Sequence, residues 1–189
     1  LDAIPTHVVR KRDGHIEELG IAAADAEFVP SYRPATGPLL ESAESLALDE
    51  GYQTEINLAA RAFVRTFAER VDRGALLFFD YGFPAAEYYH AQRAQGTLMC
   101  HYRHHAHDDA FVLRGLQDIT AHVDFSAVAR AAVEAGHHVV GYTTQAQFLV
   151  NCGITDLLAQ TPVEDVRAYA PLAAQAQKLP LECVEPLDS

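Results

Sequence analysis

The clearest hydrophobic repeat in the chain lies between residues 54 and 72. Apolar side chains recur there at intervals of three and four residues, at Ile56, Ala59, Ala60, Phe63, Val64, Phe67 and Val71. This spacing places them on one face of an amphipathic helix. Gly74 follows at the usual position for a helix end. We therefore predict a helix over residues 54–72.

Two further runs predict strands that are buried on both faces. The first, residues 76–79, is entirely apolar and leads directly into Asp80. The second covers residues 137–142. Successive side chains of a strand point to opposite faces, so an unbroken apolar run indicates burial on both, as in a parallel sheet. Asp80 is then expected at the carboxyl end of an interior strand, the edge at which open α/β sheets bind ligands.

The remaining pattern alternates between strands and helices. Residues 6–21 predict a β-hairpin, because Asp13 and Gly14 suit the positive φ of a tight turn. Prolines and glycines predict a loop over residues 30–38, and weak periodicity predicts a long loop over residues 83–117. Helices are predicted over residues 126–135, 144–153 and 162–178. This order predicts an α/β fold with a mostly parallel sheet.

Composition and charge exclude several classes of protein. Of the 189 residues, 49% are hydrophobic and 21% charged, which is typical of a folded globular chain. The net charge of −12 argues against nucleic-acid binding, which depends on Lys and Arg at phosphates, and against anionic lipid surfaces. No apolar run approaches the roughly 20 residues needed to span a bilayer. The partners expected are therefore neither nucleic acid nor membrane.

Cysteine and histidine usage predicts no metal site. The three cysteines, Cys100, Cys152 and Cys183, are far apart and form no CxxC pair, so reduced thiols are expected. Residues 101–109 contain four histidines and two aspartates, from which a two-histidine, one-carboxylate site can be drawn. No HExxH spacing is present, and neighbouring ligands on an irregular loop seldom converge on one ion. A polar loop is the preferred interpretation.

Other familiar catalytic patterns are absent, which leaves carboxylates as the candidates. The sequence contains no GxSxG elbow and neither of the two common glycine-rich phosphate loops. Asp80 follows a predicted strand, and Asp118 and Asp124 flank His122. Each of these carboxylates has an equally good structural interpretation, as a cap of the turn or helix that follows it.

Six segments of the chain form a distinctive set: LDAIP at 1–5, LFFDYG at 77–82, EYYH at 87–90, QRAQGTLMCHYR at 92–103, QDITAHVDF at 117–125 and GYTTQAQFL at 141–149. Together they resemble the MidA family of complex I assembly methyltransferases. The match extends from residue 1 to about residue 178. MidA proteins are class I enzymes that depend on S-adenosylmethionine.

The resemblance implies part of a class I methyltransferase-like sheet, mostly parallel, with an added β-hairpin and helices. Residues 76–80 correspond to its fifth strand. The glycine-rich loop that binds S-adenosylmethionine is expected upstream of Leu1, in an N-terminal half that is missing here, so no cofactor-binding residue can be assigned. Residues 1–178 are expected to be the C-terminal part of the methyltransferase domain, and residues 179–189 a divergent tail.

The resemblance also implies a function, namely methylation of an arginine on a protein substrate such as a respiratory complex I subunit. Asp2 is the expected carboxylate on the acceptor side, with Asp80 and Asp118 as further catalytic candidates. Residues 83–117 are expected to cover the ligand edge. A bacterial cytoplasmic location is expected, with a homodimer as one option. The chain alone is expected to be inactive.

Two other functions stay open at this point. One is a non-catalytic assembly or interaction module that uses the same fold, because the chain lacks the cofactor loop. The other is a metalloprotein that uses the histidines of residues 101–109. Titration with S-adenosylmethionine and bound-metal analysis discriminate among the three.

Overall fold

The computed structural model describes residues 1–25, 27–162 and 165–177. They form two compact units, one over residues 1–138 and the other from residue 139 onward. The expected end of the methyltransferase domain at residue 178 and the expected tail, residues 179–189, lie outside the described residues.

A four-stranded antiparallel sheet begins the first unit. Its strands are β1 (His7–Arg12), β2 (His15–Ala24), β3 (Glu27–Pro34) and β4 (Gln53–Ile56), in the order β3-β2-β1-β4. The predicted hairpin is confirmed, because β1 pairs with β2 around a turn in which Asp13 and Gly14 have φ values of 50° and 76°. Positive φ at both positions is what a two-residue hairpin turn requires.

The loop predicted over residues 30–38 is wrong, because Pro30 and Pro34 belong to β3. Proline cannot donate a backbone hydrogen bond, but β3 is an edge strand, where one side of the backbone needs no partner. Helix α1 (Gly37–Glu44) follows, with a proline in its first turn.

Helix α2 (Leu58–Ala68) is shorter than the repeat over residues 54–72 predicts. Its beginning is fixed by Asn57, whose Oδ1 accepts a hydrogen bond from the backbone N–H of Ala60 at 2.7 Å. Residues before that cap pair with β1 as strand β4. The apolar repeat therefore runs across a strand and a helix.

Short elements occupy part of the loop predicted over residues 83–117. The elements from residue 82 to residue 124 are β5 (Gly82–Phe83), α3 (Ala85–Tyr88), a 3-10 turn (Ala91–Arg93), β6 (Met99–Tyr102), β7 (His105–His107), β8 (Asp118–Thr120) and β9 (Val123–Asp124). Strands β7-β6-β8 form an antiparallel sheet, and β5 pairs with β9 in parallel. Strands of two to four residues are too short to show an alternating pattern.

The two buried strands predicted from apolar runs are both wrong for this chain. Residues 76–79 and 137–142 join no strand ladder, and the side chains of Leu77 and Val140 are 62% and 97% exposed. A parallel strand is stabilised by neighbours on each side, and the described residues supply none beside these runs. The mostly parallel sheet is also wrong, since β5-β9 is the one parallel pair among the named strands of the described chain.

Two apolar clusters stabilise the first unit. One lies beneath the four-stranded sheet and joins Val9, Ala35, Leu39, Ala43, Leu48, Tyr52 and Ile56. The other lies where α2 packs on α4 (Phe125–Glu134), and consists of Val64, Val123, Val128 and Ala131. Phe78 packs against the second cluster and is half-buried. Helix α4 confirms the helix predicted over residues 126–135.

Three helices follow in the second unit, α5 (Gln145–Asn151), α6 (Ile154–Ala159) and α7 (Val166–Gln177). Helix α5 confirms the prediction for residues 144–153. Its cap is Thr144, whose hydroxyl accepts a hydrogen bond from the backbone N–H of Gln147 at 3.2 Å. In the described ranges, none of the helices is both long and apolar enough to cross a membrane.

Candidate functional site

Asp80 attaches the beginning of the chain to the end of the apolar run. One of its carboxylate oxygens accepts hydrogen bonds from the amino group of Leu1 and from the backbone N–H of Asp2, the latter at 3.2 Å. The other oxygen accepts from the N–H of Tyr81 at 2.8 Å. The Asp80 side chain is only 9% exposed. Its carboxylate is therefore fully engaged in positioning backbone.

Asp2 lies beside Asp80, and its carboxylate is accessible. Its side chain is 34% exposed, and its backbone carbonyl accepts a hydrogen bond from the N–H of Ala121 at 3.0 Å. Two residues later, the N–H of Val123 donates to the carbonyl of Tyr81 at 2.8 Å. These bonds hold residues 1–2, 80–81 and 121–123 together. The structure thus brings Asp2 and Asp80 into one site.

His122 lies in the last of these three segments, and its imidazole is half-buried. Its backbone N–H donates to the hydroxyl of Thr97 at 3.0 Å, and its ring centre lies 5.0 Å from that of Phe83. Burial, followed by the charge of Arg93, lowers the pKa of His122 below its ordinary value. The guanidinium of Arg93 lies 4.0 Å from the centre of the Phe83 ring. The imidazole of His122 is therefore neutral at neutral pH.

Glu55 fixes the loop behind His122. Although 2% exposed, its carboxylate accepts hydrogen bonds from the N–H groups of Thr97 and Leu98, at 2.9 and 3.2 Å. The hydroxyls of Thr97 and Tyr88 donate at 3.0 and 3.4 Å. Four donors compensate the cost of burying a charge that has no cationic partner among the described residues. Gly96 passes so close to this carboxylate that any side chain there would overlap it.

Tyr89 and Asp124 close the other side of the site. The hydroxyl of Tyr89 donates to Asp124 Oδ2 at 3.0 Å, while Asp124 Oδ1 accepts from the N–H of Ala127 and caps α4. Burial, followed by the charge of Asp124, raises the pKa of Tyr89 well above its ordinary value, so the phenol stays a donor. The capping interpretation of Asp124 is confirmed. Ser126, in the first turn of the same helix, accepts a hydrogen bond from the backbone N–H of Ala85.

A small cavity lies among these side chains. Its volume is about 20 Å³, and its polar lining comes from Glu55, Asn57, Arg61, Tyr88, Tyr89, His122 and Asp124. A cavity of this size accommodates about one water molecule. Pockets for ligands of nucleoside size measure about 300 Å³ or more.

The third predicted carboxylate, Asp118, lies elsewhere. It is exposed on β8, opposite His101 of β6, and the described contacts do not bring it to Asp2 or Asp80. Within the described ranges, no group of three or more His, Cys, Asp or Glu side chains is arranged to hold a metal ion. Glu55 escaped the sequence analysis because it falls inside the predicted helix, where a glutamate indicates an exposed face.

Comparison with protein families identifies the chain. A family model described as S-adenosyl-L-methionine-dependent methyltransferase matches residues 1–143. The chain belongs to this family, the MidA methyltransferases. The resemblance carried by the sequence motifs is therefore confirmed, and S-adenosylmethionine is the cofactor of the family.

Individual relatives agree with this membership. The chain is 32% identical over 164 residues to the zebrafish (Danio rerio) "Protein arginine methyltransferase NDUFAF7, mitochondrial", a match that covers 81% of the chain and 35% of that protein. A COG1565 superfamily structure from Burkholderia thailandensis, bound to S-adenosyl-homocysteine, is 52% identical with a TM-score of 0.89. It is matched over 95% of this chain and 47% of its own. A native structure of a COG1565 protein from the same organism is 53% identical, with a TM-score of 0.88 and coverages of 94% and 48%.

The MidA chain spans about half the length of the solved structures and about a third of the zebrafish protein. The cavity at this site does not fit the cofactor on its own. The cavity of about 20 Å³ is far too small for S-adenosylmethionine, and the sequence contains no glycine-rich loop beside a strand. The site does present an accessible carboxylate, that of Asp2, whose backbone is held by Asp80.

Proposed function

We propose that this chain is the acceptor-side part of a protein arginine methyltransferase that acts on a subunit of respiratory complex I. The observation that carries the proposal is the 32% identity with a protein arginine methyltransferase over 81% of the chain. The complex I subunit as substrate follows from the MidA resemblance in the sequence.

The site supports this proposal through Asp2. A guanidinium forms paired hydrogen bonds with a carboxylate, which fixes both its position and its orientation. The Asp2 carboxylate is accessible, and the Asp80 carboxylate anchors its backbone. In this proposal Asp2 orients the substrate arginine and Asp80 positions Asp2. The exposed Asp118 on β8 contacts the protein substrate farther from the reacting nitrogen.

Residues 83–117 contribute recognition of the acceptor protein. The beginning of this segment is packed at the candidate site, since Phe83 contacts His122 and Tyr89 donates to Asp124. The Arg93 guanidinium pairs with Glu87 at 3.2 Å on the same stretch. These contacts support a protein-binding surface that continues from the Asp2 edge.

We also propose that activity requires a protein about as long as the solved relatives, which we call the full-length protein. The absence of a glycine-rich loop from the sequence supports this, as does the small cavity at the site. S-adenosylmethionine, when bound in the full-length protein, supplies the methyl group. The 189-residue chain alone is then inactive.

The absence of a glycine-rich loop and the small cavity also favour a second function, a non-catalytic assembly module. A chain that does not enclose the cofactor can still bind a protein through the segment over residues 83–117. Calorimetric titration of the full-length protein with S-adenosylmethionine addresses this choice. Both proposals predict no measurable heat with the 189-residue chain, but only the methyltransferase proposal predicts binding by the full-length protein.

The deciding experiment is methyl transfer by the full-length protein. We expect radiolabel from S-adenosylmethionine to appear on a purified complex I core subunit. Label on that subunit supports the methyltransferase proposal, whereas cofactor binding without transfer to protein contradicts it.

For location, we propose the cytoplasm of a bacterium. Cys100 and Cys152 are free thiols, as expected in a reducing compartment. Recovery of the protein in a membrane or periplasmic fraction would contradict this. The homodimer stays a prediction.

A further inference from the structure

Two buried polar atoms beside the candidate site have no hydrogen-bond partner among the described residues. They are Nε of Arg61, on α2, and Nδ1 of His122. Both residues line the same cavity of about 20 Å³. Buried polar atoms are almost always hydrogen-bonded, and a polar cavity of this size holds about one water molecule. The cavity is therefore a site for a single water between α2 and His122.

The other polar groups around the cavity decide how such a water is oriented. The Nε–H of Arg61 can only donate, so it occupies one lone pair of the water. The carboxylates of Glu55 and Asp124 line the same cavity and can only accept, so they receive the two hydrogens of the water. Both have acceptor capacity left, because Glu55 Oε1 and each Asp124 oxygen accept a single hydrogen bond. The remaining lone pair of the water then accepts from His122, which requires a proton on Nδ1.

A neutral His122 that carries its proton on Nδ1 presents the lone pair of its other ring nitrogen, Nε2. Burial of the ring, followed by the charge of Arg93, lowers the pKa of His122 and so keeps it neutral. Unlike Nδ1, Nε2 is not a buried atom without a partner, and it forms no hydrogen bond within the described part of the chain, so it is open to a ligand. The hydrogen bond from Ala121 to the carbonyl of Asp2 holds this acceptor beside Asp2.

The charges around this imidazole favour a cationic ligand. The negative charges of Glu55, Asp2 and Asp80 all act on the ring. The positive charge of Arg93 also acts on it, but the Arg93 guanidinium is paired with Glu87 at 3.2 Å. A guanidinium has five N–H donors in a planar fork, so it can pair with a carboxylate and still donate to a further acceptor.

We propose that a water molecule in the cavity fixes His122 as the tautomer protonated on Nδ1, and that Nε2 accepts a hydrogen bond from the guanidinium of the substrate arginine. Asp2 pairs with other N–H groups of the same guanidinium. The inference rests on the proposed function, because it takes arginine as the substrate. It adds a second acceptor, in a fixed direction, which suits a planar guanidinium better than the ammonium of lysine. His122 thus determines specificity for arginine.

The test follows the His122 ring by nitrogen-15 NMR in the full-length protein, with N-acetyl-arginine amide as the probe and no S-adenosylmethionine present. We expect a protonated Nδ1 before the probe is added, and a shift of the Nε2 resonance as the probe binds. N-acetyl-lysine amide should bind at least tenfold more weakly. A proton on Nε2 in the free protein, an unchanged Nε2 resonance, or no binding of the arginine probe would overturn the proposal.

Two substitutions separate the acceptor from the ring that carries it. His122→Gln keeps a carbonyl oxygen near the position of Nε2 and should retain most of the affinity for the arginine probe. His122→Asn is too short to reach that position and should weaken binding about tenfold. The exposed His138 provides the matched control, and His138→Asn should leave the affinity unchanged. Circular dichroism checks that all variants are folded. Equal affinities of the wild type and both His122 variants, or equal losses in the two variants, would contradict the proposal.

These measurements use no methyl donor, so their outcome is separate from that of the methyl-transfer experiment. Arginine binding that does not depend on His122 overturns this inference and leaves the arginine methyltransferase proposal intact. Binding through His122 together with methyl groups on another residue type would instead overturn the proposed function.

Discussion

The carboxylate of Asp80 accepts a hydrogen bond from the backbone N–H of Asp2 over 3.2 Å, across 78 positions of the chain. Because Asp80 also accepts from Leu1 and Tyr81, it organises backbone and leaves the Asp2 carboxylate accessible. Two carboxylates that the sequence offered as catalytic candidates, Asp2 first and Asp80 second, thus have different surroundings. The buried carboxylate of Asp80 positions the backbone, and the accessible carboxylate of Asp2 is available to a substrate.

Replacing Asp2 with Ala should lower turnover by the full-length protein about tenfold or more, which corresponds to at least about 1.4 kcal/mol of transition-state stabilisation. Its proposed contact is with the acceptor, so affinity for S-adenosylmethionine should change less than twofold. Asp72→Ala, which removes an exposed carboxylate without a described contact, is the matched control. Steady-state kinetics and calorimetry give the two quantities. Equal loss of cofactor affinity and turnover would place Asp2 on the cofactor side.

Gly96→Ala should destabilise the first unit by about 2–4 kcal/mol. Gly96 has φ = +77°, and a methyl group there would overlap the Glu55 carboxylate, which four hydrogen-bond donors hold in place. Gly115 has nearly the same φ, +75°, but open space around it, so Gly115→Ala should cost only about 1–2 kcal/mol for the left-handed backbone. Urea unfolding measures both. Similar losses at the two positions would show that the Glu55 contact is not rigid.

Phe78→Ala should cost about 2 kcal/mol in the 189-residue chain, less than the 3–5 kcal/mol typical of a fully buried phenylalanine. The reason is that Phe78 is half-buried against the α2–α4 cluster. Leu77→Ala, at the neighbouring position whose side chain is 62% exposed, should change the free energy of unfolding by less than about 0.5 kcal/mol. Chemical unfolding at 25 °C provides the comparison. A larger loss of stability for Leu77→Ala than for Phe78→Ala would contradict the assignment of Phe78 as the packed side chain.

Stability should fall as the pH drops from about 6.5, the ordinary histidine value, to 5. Burial lowers the pKa of His122 in the folded chain. Below the ordinary histidine pKa the unfolded chain therefore binds the proton more readily than the folded chain, which favours unfolding. His122→Asn removes this contribution and should make the decline shallower. Urea unfolding at pH 7 and pH 5.5 gives the two slopes. A steeper decline in the variant would mean that protonated His122 stabilises the fold.

Local signals in the sequence predicted the elements that depend on local interactions. The Asp13-Gly14 turn and the helix predicted over residues 144–153 each depend on interactions over a few residues, and both are confirmed. Asn57 shows the limit of periodicity, because the apolar repeat continues through it while its side chain ends β4 and begins α2. A hydrophobic pattern indicates which side chains prefer burial, but a cap decides where the backbone changes conformation.

The candidate site could be predicted only in part for a related reason. Asp2 and Asp80 came from motif resemblance and from position after an apolar run, and the structure brings them together. Glu55 gave no signal, because its four donors come from residues more than thirty positions away. The apolar run over residues 76–79 indicates burial, but what covers a strand is decided by other parts of the fold.

Identification of the methylated residue tests the account most directly. The full-length protein, S-adenosylmethionine and a purified complex I core subunit are incubated together, and the modified peptide is sequenced by mass spectrometry. The account predicts methyl groups on a guanidinium nitrogen of arginine, at least tenfold less with Asp2→Ala, and none with the 189-residue chain alone. Methylation of another residue type, or methyl transfer by the isolated chain, would contradict it.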